Sequence, residues 1–420
     1  MKTKKPLFNA LKTYASTSKG YFRIPGHRFE RGVHPELLEF TGNNVFKLDV
    51  TETPLTDDLH HPDGVIAESQ RIAAKAFGAD ETFFLVNGTT CGNQSMVMAC
   101  ASEGDEILIP RNAHKSVMAG LILSGARPIY SPVEYIDNIG LQAGFSASMV
   151  KNILSTHPNC KAVFAVSPTY HGFCSDIAEL TKYSHNKGIP VLVDEAHGAH
   201  CYFSNLLPKT ALEQGADSCS QSLHKVAGAL TQSSFLHLKS SIIKRGKLNS
   251  ALRLTMSTSP SYVLMTSLEM AASDMIENGT SLWADAVKLS ESLRERINCI
   301  SGLFCPQEEV IGQAAITAKD PTRIIVNLDG LSVSGYELKK ILYDEFFIDA
   351  EMADSRNLLF IITFANTEEE ADNLVSALKT LSKRYRGEKK IADKDIIMPP
   401  IPEMKLTPRE AYFSESKSVS

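Results

Sequence analysis

Short strand signals separated by amphipathic segments recur along the middle of the chain. They lie at residues 82–86, 106–109, 128–130, 162–166, 190–193, 217–220 and 234–237. Most are short apolar runs, as in strands buried on both faces, and the segments between them have helical periodicity. Alternating strands and helices predict an α/β domain, with helices on both faces of a mostly parallel sheet.

The pattern changes on both sides of this region. The first 60 residues hold a short helix near residues 7–16 and then an arm interrupted by proline and glycine. A long amphipathic helix around residues 275–300 is followed by strand signals at 323–328, 349–352 and 358–364, with helices at 336–346 and 367–385. The last helix opens with a capping box, Thr367 and Glu370. We predict an N-terminal arm (1–60), a large α/β domain (61–275), a small α+β domain (276–388) and an extended C-terminal tail (389–420).

Composition narrows the class of protein. The chain has 420 residues, 43% of them hydrophobic and 22% charged, with a net charge of −5. Without a basic run, nucleic-acid binding has no electrostatic support, and no apolar run approaches the roughly 18 residues of a membrane span. The start has no apolar secretory segment, and the eight cysteines form no CxxC pair. We expect a cytoplasmic protein with reduced cysteines and no metal, nucleic-acid or membrane partner.

Reactive side chains follow two of the predicted strands. Residues 190–193 lead into Asp194 and His197, and the next strand leads into Ser222 and Lys225. Ligands of open α/β sheets bind outside the carboxyl ends of the strands. A lysine and an acid at neighbouring strand ends suit pyridoxal 5'-phosphate: the lysine forms a Schiff base, and the acid keeps the pyridine nitrogen protonated. The alternative is that Asp194 caps a helix and Lys225 is a surface lysine.

A further strand is followed by a glycine turn with hydroxyl side chains, Gly88, Thr89 and Thr90, and then by a helix. Free backbone N–H groups and the positive end of a helix bind phosphate, and threonine hydroxyls add donors. Glycine and threonine also make ordinary helix caps, which is the alternative. The polar segments 111–115 and 167–172 follow other strands, so they are expected at the same edge of the sheet.

Eight ordered motifs together resemble the ornithine/lysine/arginine decarboxylase family of fold-type I pyridoxal phosphate enzymes, in its short bacterial form. The resemblance holds from about residue 7 to 270 and more loosely to 415. The motifs are Ile24-Pro25-Gly26-His27, Asp57-Asp58-Leu59-His60, Asn87-Gly88-Thr89-Thr90, Pro110-Arg111-Asn112-Ala113-His114-Lys115-Ser116, Pro168-Thr169-Tyr170, Val193-Asp194-Glu195-Ala196-His197-Gly198, Ser222-Leu223-His224-Lys225 and Leu230-Thr231-Gln232-Ser233-Ser234.

The resemblance implies a role for each site residue. Lys225 would be the Schiff-base lysine, Asp194 the partner of the pyridine nitrogen and His114 the ring that stacks on the cofactor. The phosphate would be held by Gly88, Thr89, Thr90, Ser222 and His224. His197 or Lys225 would return a proton to Cα. Thr258, in a Ser-Thr-Ser-Pro run, would reach the phosphate of a neighbouring subunit, which implies a homodimer or higher homo-oligomer with shared active sites.

The implied reaction is decarboxylation of a basic amino acid to an amine and CO2 in polyamine metabolism, with arginine favoured over lysine or ornithine. Asp57, Asp58 and Glu52 are candidates to bind the distal cation of the substrate. An aminotransferase, an oxoamine synthase and a non-catalytic cofactor-binding protein are the alternatives. Relatives continue into a further C-terminal region with a glutamate near the substrate, whereas this chain ends at Ser420. We therefore expect either a chain that is truncated relative to its relatives or a substrate pocket that is completed differently.

Overall fold

A computed structural model of the chain describes residues 2–387 and 400–418. The helices are α1 (Pro6–Thr17), α2 (Pro35–Thr41), α3 (Asn44–Leu48), α4 (Val65–Phe77), α5 (Gly88–Cys100), α6 (Lys115–Ser124), α7 (Ala147–Thr156), α8 (Ile177–His185), α9 (Leu223–Val226), α10 (Arg245–Thr255), α11 (Tyr262–Asn298), α12 (Gly335–Phe346), α13 (Glu368–Arg384) and α14 (Pro408–Phe413).

The strands are β1 (Glu81–Leu85), β2 (Glu106–Pro110), β3 (Arg127–Ser131), β4 (Tyr135–Ile136), β5 (Leu141–Gln142), β6 (Cys160–Val166), β7 (Phe173–Cys174), β8 (Val191–Asp194), β9 (Ser218–Ser222), β10 (Ser234–Leu238), β11 (Ala318–Lys319), β12 (Arg323–Asn327), β13 (Met352–Ala353) and β14 (Asn357–Ile361).

A seven-stranded sheet with the order β1-β10-β9-β8-β6-β2-β3 organises the large part of the molecule. All neighbours from β9 to β3 pair in parallel, whereas β10 is antiparallel to both β1 and β9. Each of the seven strands overlaps one of the predicted strand signals. The predicted α/β class is therefore confirmed, and the parallel pairing places the ends of β6, β8 and β9 at one edge.

The helix α11 joins two hydrophobic cores. Its N-terminal part, including Tyr262 and Trp283, packs into the core beneath the large sheet. Its C-terminal part, including Leu293 and Ile297, packs into a second core. That second core is formed with α12, α13 and an antiparallel sheet of order β12-β14-β13.

Several boundaries differ from the sequence prediction. The long helix begins at Tyr262, so it runs across the predicted domain boundary at 275/276. The strand predicted at 349–352 is only Met352–Ala353, at the edge of its sheet. The tail predicted to be extended contains a helix at Pro408–Phe413, because Thr407 and Glu410 form a capping box that the sequence analysis overlooked; residues 388–399 lie outside the described residues. Among the described residues, no helix is long and apolar enough to span a membrane.

Candidate active site

Asp194 ends β8 with its carboxylate buried and fixed on both oxygens. Its Oδ2 accepts a hydrogen bond from Asn93 Nδ2 at 2.8 Å, and its Oδ1 accepts one from the backbone N–H of Ala196 at 3.1 Å. The side chain is 5% exposed. A turn follows β8 rather than an α-helix, so the helix-cap alternative for Asp194 is wrong.

Lys225 lies in α9, the short helix that directly follows β9. The strand β9 pairs with β8, which carries Asp194. Its Nζ is 2.9 Å from Nε2 of His197, which rules out the surface-lysine alternative. Burial lowers the pKa of the Lys225 amine, the Asp194 carboxylate opposes this effect, and Arg323 adds to it. A larger neutral fraction makes the amine a better nucleophile.

His197 is 7% exposed and is held from the side of the small antiparallel sheet. Arg323, the first residue of β12, donates from Nη2 to the backbone oxygen of His197 at 3.2 Å. Burial lowers the pKa of His197 well below its usual range, and the neighbouring Lys225 and Arg323 lower it further. A neutral His197 can therefore accept a proton from Lys225 Nζ through Nε2.

His114 is linked to Asp194 through two intermediate side chains. Its Nδ1 accepts from the backbone N–H of Ser116 at 3.2 Å and is 2.8 Å from Ser116 Oγ, which in turn accepts from Asn93 Nδ2 at 2.9 Å. Since Nδ1 is an acceptor, the proton of the neutral ring lies on Nε2. Burial lowers the pKa of His114, which favours this neutral form. The ring is thus fixed on the same network as the Asp194 carboxylate.

The N-terminus of α5 lies beside β9 and forms a candidate phosphate site. Thr89 Oγ1 is 3.2 Å from Ser222 Oγ, and Gly88 has a φ of 69°, a conformation that favours glycine. The first N–H groups of an α-helix have no intrahelical acceptor, so they are available to an anion. A Cβ on Gly92 would come within 2.9 Å of Leu85 Cδ1, so glycine here allows the helix to approach the sheet closely.

The remaining predicted residues lie around this cluster. Thr90 is in the first turn of α5 and is exposed, and His224 is half-buried with its Nδ1 3.2 Å from the backbone oxygen of Ser233. Thr258 is exposed in the turn between α10 and α11. The neighbouring Ser257 donates its backbone N–H to Asn87 Oδ1 at 3.2 Å, so this turn adjoins the α5 N-terminus of the same chain.

Three side chains of this site were given no role by the sequence analysis. Asn93 connects Asp194 to Ser116, Arg323 holds His197, and the Tyr170 ring lies 4.4 Å from the His197 ring. Tyr170 belongs to a motif that the analysis quoted, and Asn93 follows another closely, so the strand-end rule could have drawn attention to them. Arg323 has no local signal, because its contact with His197 joins residues 126 positions apart.

The donor set fits pyridoxal phosphate. The α5 N-terminus with the Thr89 and Ser222 hydroxyls suits a phosphate, the buried Asp194 carboxylate suits a protonated ring nitrogen, and the half-buried Lys225 amine suits an aldehyde. These groups converge on one edge of a mostly parallel sheet. Fold and site together define the class of fold-type I pyridoxal phosphate-dependent enzymes.

Comparison with known proteins narrows the class to one family. The family model "Orn/Lys/Arg decarboxylase, major domain" matches residues 5–370. Arginine decarboxylase of Bacillus anthracis is 39% identical over 418 residues, covering 99% of this chain and 84% of that protein. Arginine decarboxylase of Bacillus subtilis is 37% identical over 416 residues, covering 99% and 85%. The chain belongs to the Orn/Lys/Arg decarboxylase family.

Solved structures agree at the level of the fold. The Francisella novicida lysine decarboxylase LdcF superposes with a TM-score of 0.78 at 22% identity, covering 90% of this chain and 60% of that one. The serine palmitoyltransferase of Sphingomonas wittichii, another activity, has a TM-score of 0.64 at 15% identity, covering 91% and 84%. This chain therefore spans about 60% of the length of that lysine decarboxylase. The family match confirms the predicted carboxy-lyase and disfavours the aminotransferase and oxoamine synthase alternatives.

Proposed function

We propose that the chain decarboxylates arginine to agmatine and CO2, with pyridoxal phosphate bound at the ends of β8 and β9. The observation that carries the proposal is the Lys225 amine held 2.9 Å from His197 beside the buried Asp194. Arginine is favoured over lysine and ornithine because the relatives that cover 99% of this chain at 36–39% identity are named arginine decarboxylases.

Most of the predicted site residues have a proposed role in holding the cofactor. When bound, pyridoxal phosphate supplies an aldehyde for amines and a ring that accepts electrons. Gly88, Thr89 and Thr90, with Ser222 and His224, would hold its phosphate; His114 would lie against its ring. Asp194, aligned by Asn93 and Ala196, would hold a proton at the ring nitrogen.

Proton delivery falls to the Lys225–His197 pair. The overall reaction replaces the α-carboxylate of the substrate by a proton, so a donor is needed beside Cα. Lys225 Nζ and His197 Nε2 are within hydrogen-bond distance and can exchange one proton. Burial lowers the pKa of both groups. The pKa of the Lys225 ammonium is thereby closer to neutral pH, which makes it a better proton donor.

The assembly we propose is a homodimer with shared sites. The exposed side chain of Thr258 supports this assembly, because a residue that contacts a partner's phosphate must be accessible on the surface of the single chain. The protein would act in polyamine metabolism, because agmatine is the amine that arginine yields. We place this activity in the cytoplasm.

Product analysis tests the reaction. Purified protein loaded with pyridoxal phosphate is incubated separately with arginine, lysine and ornithine, and CO2, keto acids, agmatine, cadaverine and putrescine are measured. We expect CO2 and agmatine in equal amounts from arginine, and none from a Lys225→Ala variant. Keto-acid formation, or cofactor binding without any amine product, would contradict the proposal.

A further inference from the structure

Of the three acidic residues expected to bind the distal cation of the substrate, Asp57 is engaged elsewhere. The Asp57 carboxylate accepts from five backbone N–H groups at the start of α4, those of Asp58, Asp63, Gly64, Ile66 and Ala67, at 2.8–3.3 Å. Asp58 accepts from the backbone of His60 at 2.8 Å. The Asp57 carboxylate therefore stabilises the arm itself. Among the described residues, no hydrogen bond or ion pair joins Asp58 or Glu52 to Tyr170, His197 or Lys225, so an acid closer to the reactive amine is the better candidate.

Glu351 is an acid close to the site. It lies between α12 and β13, and its backbone oxygen accepts from Lys339 Nζ at 3.0 Å. Its carboxylate Oε1 accepts from the Tyr170 hydroxyl. The Tyr170 ring packs at 4.4 Å from the His197 ring, and Lys225 Nζ lies 5.9 Å from the centre of the Tyr170 ring. Glu351 is therefore separated from the reactive amine by one tyrosine side chain.

The environment of Glu351 leaves it able to bind a cation. The side chain is exposed, so a ligand can reach its carboxylate. Burial and the bond to Glu351 raise the pKa of Tyr170, so the hydroxyl keeps its proton and donates it. An ionised carboxylate has about four lone-pair sites, and Tyr170 occupies one of them.

The charge of Glu351 also acts at the reactive amine. Burial lowers the pKa of Lys225, and Asp194 and Glu351 are the two acids that oppose this effect. The nearby cation Arg323 is fully buried with Asp320, its Nη1 3.6 Å from Asp320 Oδ2. Arg323 is therefore paired with Asp320 and is not the ion-pair partner of Glu351.

We propose that Glu351 is the carboxylate that receives the distal guanidinium or ammonium group of the substrate, and that Tyr170 positions it. This inference rests on the proposed function, because it assigns a specificity-determining residue to the same site. A guanidinium forms two parallel hydrogen bonds to a carboxylate, so arginine would gain most from this contact. Substrate bound in this way would touch both the large sheet and the small domain.

Equilibrium binding separates this role from a structural one. Agmatine and its uncharged isostere N-carbamoylputrescine are each measured in labelled form by equilibrium dialysis, using enzyme loaded with pyridoxal phosphate, because neither has an α-carboxylate that the reaction would remove. We expect Glu351→Gln to weaken agmatine binding by about 10- to 100-fold, the loss of one charge-assisted hydrogen bond, and to leave the affinity for N-carbamoylputrescine within twofold. Tyr170→Phe should act in the same direction but less, because the carboxylate remains.

Asp349→Asn is the matched control, since Asp349 is an exposed carboxylate two residues earlier in the same segment. This substitution should change the affinity for neither ligand. Equal weakening of agmatine and N-carbamoylputrescine binding by Glu351→Gln, or no change in either, would overturn the inference. Failure of the proposed function is distinguishable, because it appears as absent product from the unmodified enzyme, whereas this test compares two affinities.

Discussion

Asp194 shows how a single buried acid can be prepared for one task. Two donors fix its oxygens, from Asn93 and Ala196, and burial at 5% exposure removes water that would weaken its field. The cost of burying this charge is offset in part by those hydrogen bonds, and a protonated ligand atom would offset it further. The residue is therefore suited to hold one proton on a ligand.

Replacing Asp194 by asparagine should separate fold from catalysis. The side chain keeps its shape, so pyridoxal phosphate should still be retained, as measured by its absorption after gel filtration. Losing the charge should reduce kcat by roughly 10²–10³, the range for a preorganised electrostatic contact. Glu179→Gln, an exposed acid of α8, is the control. A kcat within twofold of the unmodified enzyme would show that Asp194 has only a structural role.

The elements of the large sheet were predictable because each buried strand is a short local pattern. The predicted C-terminal ends of β6 and β8 agree with the observed ends to within one residue. The short helices α2 and α3 were missed, because their residues have few helical periods and their conformation depends on packing with the rest of the arm. The contacts of Glu351 and Arg323 were beyond reach, since they join positions 181 and 126 residues apart.

The helix α1 is fixed to α11 by one buried acid. Glu269 accepts from the backbone N–H groups of Leu7 at 3.0 Å and Phe8 at 2.8 Å, and from the Ser69 hydroxyl. Lys5, the N-cap residue of α1, makes no side-chain cap. The first N–H groups of α1 are therefore capped by a residue of another helix, α11. We expect Glu269→Gln to lower the free energy of unfolding by about 1–2 kcal/mol, the usual effect of a lost cap.

The pH dependence of stability should reveal the same residue. Burial raises the pKa of Glu269 in the folded state, so the folded chain holds the proton more tightly than the unfolded chain does. The contribution of this group to the free energy of unfolding should therefore fall as pH rises from about 4.3, the unfolded value, through the raised folded value. Glu269→Gln should remove this slope in urea titrations. Glu291→Gln, at an exposed position of the same helix, should leave it unchanged.

Assembly and cofactor should depend on each other if Thr258 reaches a partner's phosphate. A ligand that binds only the dimer stabilises it by about 2.7 kcal/mol at a hundredfold excess over its dissociation constant. Removing pyridoxal phosphate should shift the sedimentation profile towards monomer at low protein concentration. Thr258→Ala should weaken cofactor retention, whereas Ser259→Ala in the same exposed turn should not. A cofactor-saturated, active monomer would contradict shared sites.

The 37-residue helix α11 makes chain length itself a constrained property. Its two halves belong to different cores, and each residue advances a helix by about 1.5 Å and turns it by about 100°. One inserted or deleted residue would rotate everything after it relative to everything before it, carrying Arg323 and Glu351 away from His197 and Tyr170. Evolution can exchange side chains along α11 freely at its exposed positions, but it cannot change their number without rebuilding the site.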